Sequence, residues 1–84
     1  MAKPSPSLSG NEILVALGKA IRARRKSLNM PQEALALEAG VDRSYLGGIE
    51  RGEHNVAIIN LSKIASSLGM ELSDLMLGLE RELS

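Results

Sequence analysis

PQEALALEAGVDRSYLGGIERG, residues 31–52, divides into two short helical segments around a tight turn. Ala39-Gly40-Val41 supplies the turn: a small residue, a glycine free to adopt positive φ, then an apolar plug. Asp42 stands where an N-cap carboxylate accepts a backbone N–H of the next helix. Leu46 and Ile49, at i and i+3, form the inner face of that helix. Arg43, Ser44 and Tyr45 make its first turn and point elsewhere. A guanidinium fork, a hydroxyl and an aromatic ring at the start of a helix can read base edges in a DNA major groove.

The flanks add three more helices. Ser9-Gly10-Asn11-Glu12 matches a capping box, with Ser9 as N-cap and Glu12 three residues on. It predicts a helix to about Ser27, with Ile13, Leu17, Ala20 and Ile21 inward and Leu28 packed at the exit. Arg22, Arg24 and Lys26 face outward in this reading. Asn29-Met30 ends the helix, and Pro31 opens the next where proline is tolerated. The second helix runs to about Ala39 and buries Leu35, Ala36 and Ala39; the third runs from Arg43 to about Arg51. Gly47 and Gly48 inside the third each disfavour a helix by ~1 kcal/mol relative to alanine. Such a pair suggests close approach to DNA backbone, which places Gly48 among the candidate contacts. After the loop Gly52-Glu53-His54-Asn55, a fourth helix spans about Ile58 to Leu68 with Leu61, Ile64, Ala65 and Leu68 inward. Gly69 closes it, and Ser73 caps a fifth helix with Leu72, Leu75, Met76, Leu79 and Leu83 along one side. The fold class is all-α, with a disordered tail over residues 1–8 and one domain over 9–84.

Composition narrows the function. Eighty-four residues allow one domain with a small core, which makes oligomerisation a reasonable expectation. There is no cysteine and one histidine, so neither disulfides nor a thiolate or histidine metal site is expected, and no cofactor. No apolar run approaches the ~18 residues that cross a bilayer, and Met1 to Gly10 has one lysine and spaced proline and serine without the apolar stretch of a signal peptide. A cytoplasmic location with no membrane partner is expected. Net charge is zero, yet unevenly spread. Residues 1–45 carry seven basic side chains against four acidic, and residues 46–84 carry three against six. A DNA face at one pole and a protein face at the other fits that split. No enzyme signature survives inspection: His54 lacks a nucleophile at interpretable spacing, and Gly47-Gly48 is too helical for a phosphate loop.

Gln32, Leu35-Ala36, Ala39-Gly40-Val41, Leu46 and Ile49-Glu50-Arg51-Gly52 together resemble the Xre/Cro-type helix-turn-helix repressors. The resemblance extends upstream through Leu17-Gly18, Ile21-Arg22 and Arg25. Downstream it takes in Leu61, Ile64-Ala65, Leu68-Gly69 and Leu72-Ser73-Asp74-Leu75. Arg43-Ser44-Tyr45 followed by Arg51-Gly52-Glu53-His54-Asn55-Val56 is most similar to the controller proteins of restriction–modification systems. Pro31 departs from the pattern, since most relatives carry Ser or Thr at this cap.

The resemblance implies a five-helix, lambda-repressor-like domain that binds double-stranded DNA as a homodimer. It also implies transcriptional regulation, by blocking or recruiting RNA polymerase. It implies base reading by Arg43, with Ser44 and Tyr45 beside it, and phosphate contacts from Gln32, Arg51 and Asn55. It further implies an internal Arg25–Glu50 ion pair. Tyr45 is the only aromatic residue. Leu46 and Ile49 already hold the inner face and Tyr45 lies about 100° from Leu46, so Tyr45 is expected to be exposed. The stripe Met76, Leu79, Leu83, with Ile59 on the fourth helix, exceeds what a small core needs and is assigned to the dimer interface. Two other readings stay open at this stage: an antitoxin holding a toxin at its acidic pole, and a protein-interaction module on a degenerate helix-turn-helix.

Overall fold

The structure, a computed structural model, describes residues 10–84. Among these residues there are five α-helices and no strand: α1 Glu12–Ser27, α2 Gln32–Ala39, α3 Arg43–Glu50, α4 Ile58–Ser67 and α5 Leu72–Leu83. The principal packings run α1 on α3, α3 on α2, α2 on α4, α4 on α5 and α5 on α1. The helices thus close a ring around one core. Every helix supplies at least one fully buried aliphatic side chain to it, as Ile21, Leu35, Leu46, Ile49, Ile64 and Leu75 show. Burying each contributes roughly 1.5–3 kcal/mol. The expected inner faces of α2 and α4 are the observed ones.

Two close approaches fix α1 in the ring. Gly18 rests on the backbone carbonyls of Ile49 and Glu50, where a Cβ would collide. Gly52 has φ +77° and lies so close to Val15 that a Cβ would stand 2.7 Å from Val15 Cγ2. Only glycine satisfies both conditions there. The end of α3 is thereby seated against α1.

Several expectations about helix ends are corrected. Ser9 and the predicted tail, residues 1–8, lie outside the described residues. The cap of α1 is Asn11, whose Oδ1 accepts from the N–H groups of Ile13 and Leu14 at 2.9 and 3.3 Å. Ile13 is 55% exposed, and Leu14 takes the buried place. Ile13 sits in the first helical turn beyond the main cluster, from which even buried Leu14 stands apart. Leu28 is likewise exposed. Arg24 does not simply face solvent: its Nε donates to Leu68 O at 3.0 Å, binding α1 to the end of α4. The N-cap of α5 is Glu71, not Ser73, and Asp74 Oδ2 accepts from the Glu71 N–H at 3.0 Å. A carboxylate in the first turn answers the positive helix end better than the serine does.

Candidate nucleic-acid interface

The turn between α2 and α3 forms as the sequence indicates. Gly40 takes φ +72°, and the Val41 N–H donates to Ala36 O at 2.9 Å. Val41 packs on the core. Asp42 holds the N-cap position with extended backbone, but no side-chain hydrogen bond caps α3. The Ser44 hydroxyl instead donates to the Asp42 carboxylate. That bond is the main reason the Asp42 carboxyl is held below its ordinary range, with the nearby backbone N–H groups of Tyr45 and Ser44 and then the Arg43 charge acting the same way. Arg43 and Ser44 are exposed in the first turn of α3. Arg43 shares an open groove with Pro31, Gln32 and Glu33, so the starts of α2 and α3 lie side by side.

An ion-pair network braces this unit. Arg25 Nε and Nη2 donate to the two Glu50 carboxylate oxygens at 2.7 and 2.9 Å, and Nη1 donates to Met30 O at 2.9 Å. The Glu50 side chain is 4% exposed. Gln32 Nε2 donates to Glu50 Oε1 at 3.0 Å. One carboxylate therefore joins α1, the start of α2 and the end of α3. The Glu50 bond holds the Arg25 guanidinium above its ordinary value, against the opposing effect of burial. The expected ion pair is present, and Gln32 is drawn into it.

Tyr45 departs from expectation. It is half-buried and packed against the core rather than exposed. Asn60 Nδ2, on α4, donates to its hydroxyl at 3.4 Å. The His54 ring lies 5.2 Å from the Tyr45 ring, centroid to centroid, at 37°. Gly48 is buried beneath that imidazole: a Cβ there would stand 2.5 Å from His54 Cδ2. The room opened by Gly48 is therefore filled by this chain's own histidine, and the expected DNA contact at Gly48 is withdrawn. Gly47 is covered similarly, by Arg51 and Gln32.

Beyond α3, Arg51 Nε meets Glu53 Oε2 at 2.8 Å in an exposed pair. Such exposed pairs contribute little and yield readily to a competing anion. The Arg51 bond holds the Glu53 carboxyl below its ordinary range. Asn55 is exposed, and Ala57 occupies the N-cap of α4. Among the described residues no group of His, Cys, Asp or Glu side chains is placed to hold a metal, and no helix is long and apolar enough to cross a membrane.

The residues assigned to a dimer interface separate. Leu79 is 8% exposed and belongs to the core of the single chain, which corrects its assignment. Met76 is half-buried against that core. Ile59 is 65% exposed and Leu83 45%, and they are accompanied by Ile58 and Leu77, both also exposed. The ring closure explains Leu79: α5 packs on α1 as well as α4, so it buries a wider arc than one stripe. Sequence reasoning missed Asn60 and Ile58 and left His54 outside the site. The apolar pair Ile58-Ile59 at a helix start was a legible signal; nothing in the spacing announced Asn60.

Comparison with known proteins places this architecture. The sequence matches the helix-turn-helix family over residues 21–75. The chain belongs to that family, in its Xre-type branch of DNA-binding transcription regulators. Within the family it is 37% identical over 73 residues to control protein C.MunI from Mycoplasma sp, spanning 86% of this chain and 99% of that one. The restriction–modification controller protein C.AhdI from Aeromonas hydrophila superposes with a TM-score of 0.72 and 44% identity, covering 74% of this chain and 94% of that one. C.Esp1396I bound to a 25 base pair operator site superposes with a TM-score of 0.77 and 31% identity, covering 84% and 95%.

Proposed function

We propose that this chain is a restriction–modification controller protein, a cytoplasmic homodimer that reads a pseudo-palindromic operator and acts by binding rather than catalysis. The observation carrying this reading is the start of α3: Arg43 and Ser44 are exposed there, beside a positioned Tyr45, on a helix braced by Arg25, Gln32 and Glu50. The likeness to C.Esp1396I on its operator supports the same orientation toward DNA. Arg43 and Ser44 discriminate bases, with Tyr45 beside them. Gln32, Arg51 and Asn55 meet phosphates and set register. Arg51 exchanges Glu53 for phosphate on binding.

Ile58, Ile59, Leu77 and Leu83 supply the apolar surface for a second copy, with Met76 at its edge. Residues 9–84 act as one DNA-binding and dimerising unit, and at a promoter the bound dimer blocks or recruits RNA polymerase. The test is a titration of labelled duplex by fluorescence anisotropy between 50 and 200 mM salt. Affinity falls steeply with salt, because phosphate contacts release counterions. Absence of DNA affinity at low salt contradicts the reading.

A further inference from the structure

Tyr45 has two neighbours beyond the core, and only one of them depends on a missing side chain. Gly48 leaves a notch on the surface of α3, and the His54 imidazole fills it. From there it lies 5.2 Å from the tyrosine ring, at 37°. Asn60 donates to the tyrosine hydroxyl at 3.4 Å. A ring held by a tilted aromatic contact and a hydroxyl bond has few rotamers left. His54 belongs to the loop after α3, so the loop and the helix are tied through this contact.

We propose that His54 is a positioning residue that, seated on Gly48, presets the Tyr45 side chain for base discrimination. The inference rests on the proposed DNA-reading role of α3 and adds a residue to it. Fixing the ring before binding spares its ordering at the interface, so the benefit falls on the selected sequence more than on random duplex.

Tyr45 is the only aromatic residue of the chain, so near-ultraviolet circular dichroism and tyrosine fluorescence report this one side chain. The probe is the duplex enriched by in vitro selection from a random library, compared with an unselected duplex of equal length. His54→Ala reduces the near-ultraviolet tyrosine band of the free protein and raises acrylamide quenching. Affinity for the selected duplex drops about two- to tenfold, the range such ring pairs support, and the unselected duplex is bound as before. His54→Phe restores both the tyrosine band and the selectivity, because it supplies a ring without a proton to donate. Gly48→Ala, which removes the notch while keeping the helix, reproduces the His54→Ala spectrum. Unchanged spectrum and unchanged selectivity in His54→Ala overturn the proposal. So does an equal loss on both duplexes that His54→Phe fails to restore, which makes His54 a phosphate contact. Failure of the wild-type protein to select any duplex removes the underlying reading itself, and is seen before any variant is made.

Discussion

Arg25→Met tests whether the Glu50 network is what holds the recognition helix. The substitution keeps an apolar stem of similar length and removes three donated bonds, two to Glu50 and one to Met30 O. Glu50, 4% exposed, then retains Gln32 as its side-chain partner. Breaking a buried ion pair in this way destabilises by ~3–5 kcal/mol, mostly through the charge left behind; this pair is part-buried and Gln32 stays bonded to Glu50, so the low end of that range, about 3 kcal/mol, is expected. A domain of 84 residues has roughly 4–13 kcal/mol in total, at about 0.05–0.15 kcal/mol per residue. The single variant should therefore lose a quarter of its stability or more. Urea unfolding followed by helical circular dichroism reads this directly. With a slope of about 1 kcal/mol/M for a small domain, the midpoint moves down by about 3 M or the variant is unfolded from the start. Arg25→Met combined with Glu50→Met removes both charges and should recover most of the loss. A single-variant loss below about 1 kcal/mol would refute the reasoning. So would a double variant as unstable as the sum of its two singles, because the large cost is attributed to an orphaned charge rather than to lost contact area.

Arg43→Ala should weaken binding to the selected duplex by ~1–3 kcal/mol and leave random DNA nearly untouched, as measured by paired anisotropy titrations; equal losses would make Arg43 a phosphate contact. Ile59→Glu should shift the protein toward monomer in sedimentation while it stays folded, whereas Leu79→Glu should unfold it, since Leu79 is 8% exposed within one chain. If Leu79→Glu folds and only dissociates, the division between core and interface is misplaced. Ser44→Ala should raise the Asp42 carboxyl toward its ordinary value in an NMR titration, because the serine hydroxyl is the main cause of its depression. A depressed folded-state carboxyl adds stability above its unfolded value of about 4 and loses it as pH falls through the folded one. The wild-type advantage over Ser44→Ala should therefore vanish in acid, and an advantage that grows on acidification would contradict the assignment.

The fold was legible because its signals are local. Leu35-Ala36, Leu46 with Ile49, and Leu61-Ile64-Ala65-Leu68 follow helical spacing, and Gly40 and Gly69 mark helix ends. The Arg25–Glu50 pair was reached through family resemblance, not spacing, since 25 residues separate the partners. What went unread depends on which helices meet. Leu79 reads as surplus apolar surface until α5 is seen to pack on both α1 and α4. Gly48 reads as a gap meant for DNA until His54 is seen to occupy it. Tyr45 points away from its own helix's inner stripe, yet it packs partly buried against the core, and Asn60 of α4 donates to its hydroxyl. A period counted along one helix cannot report a neighbour contributed by another.

The claim at the centre of this account is that α3 reads DNA in pairs. In vitro selection from a random duplex library, followed by sequencing of the enriched pool, tests it most directly. The account predicts a two-fold symmetric motif whose half-sites are centred about one helical turn apart, ~34 Å or 10–10.5 base pairs, or a multiple of it. Enrichment of no motif, or of a single unpaired half-site at saturating protein, would contradict it.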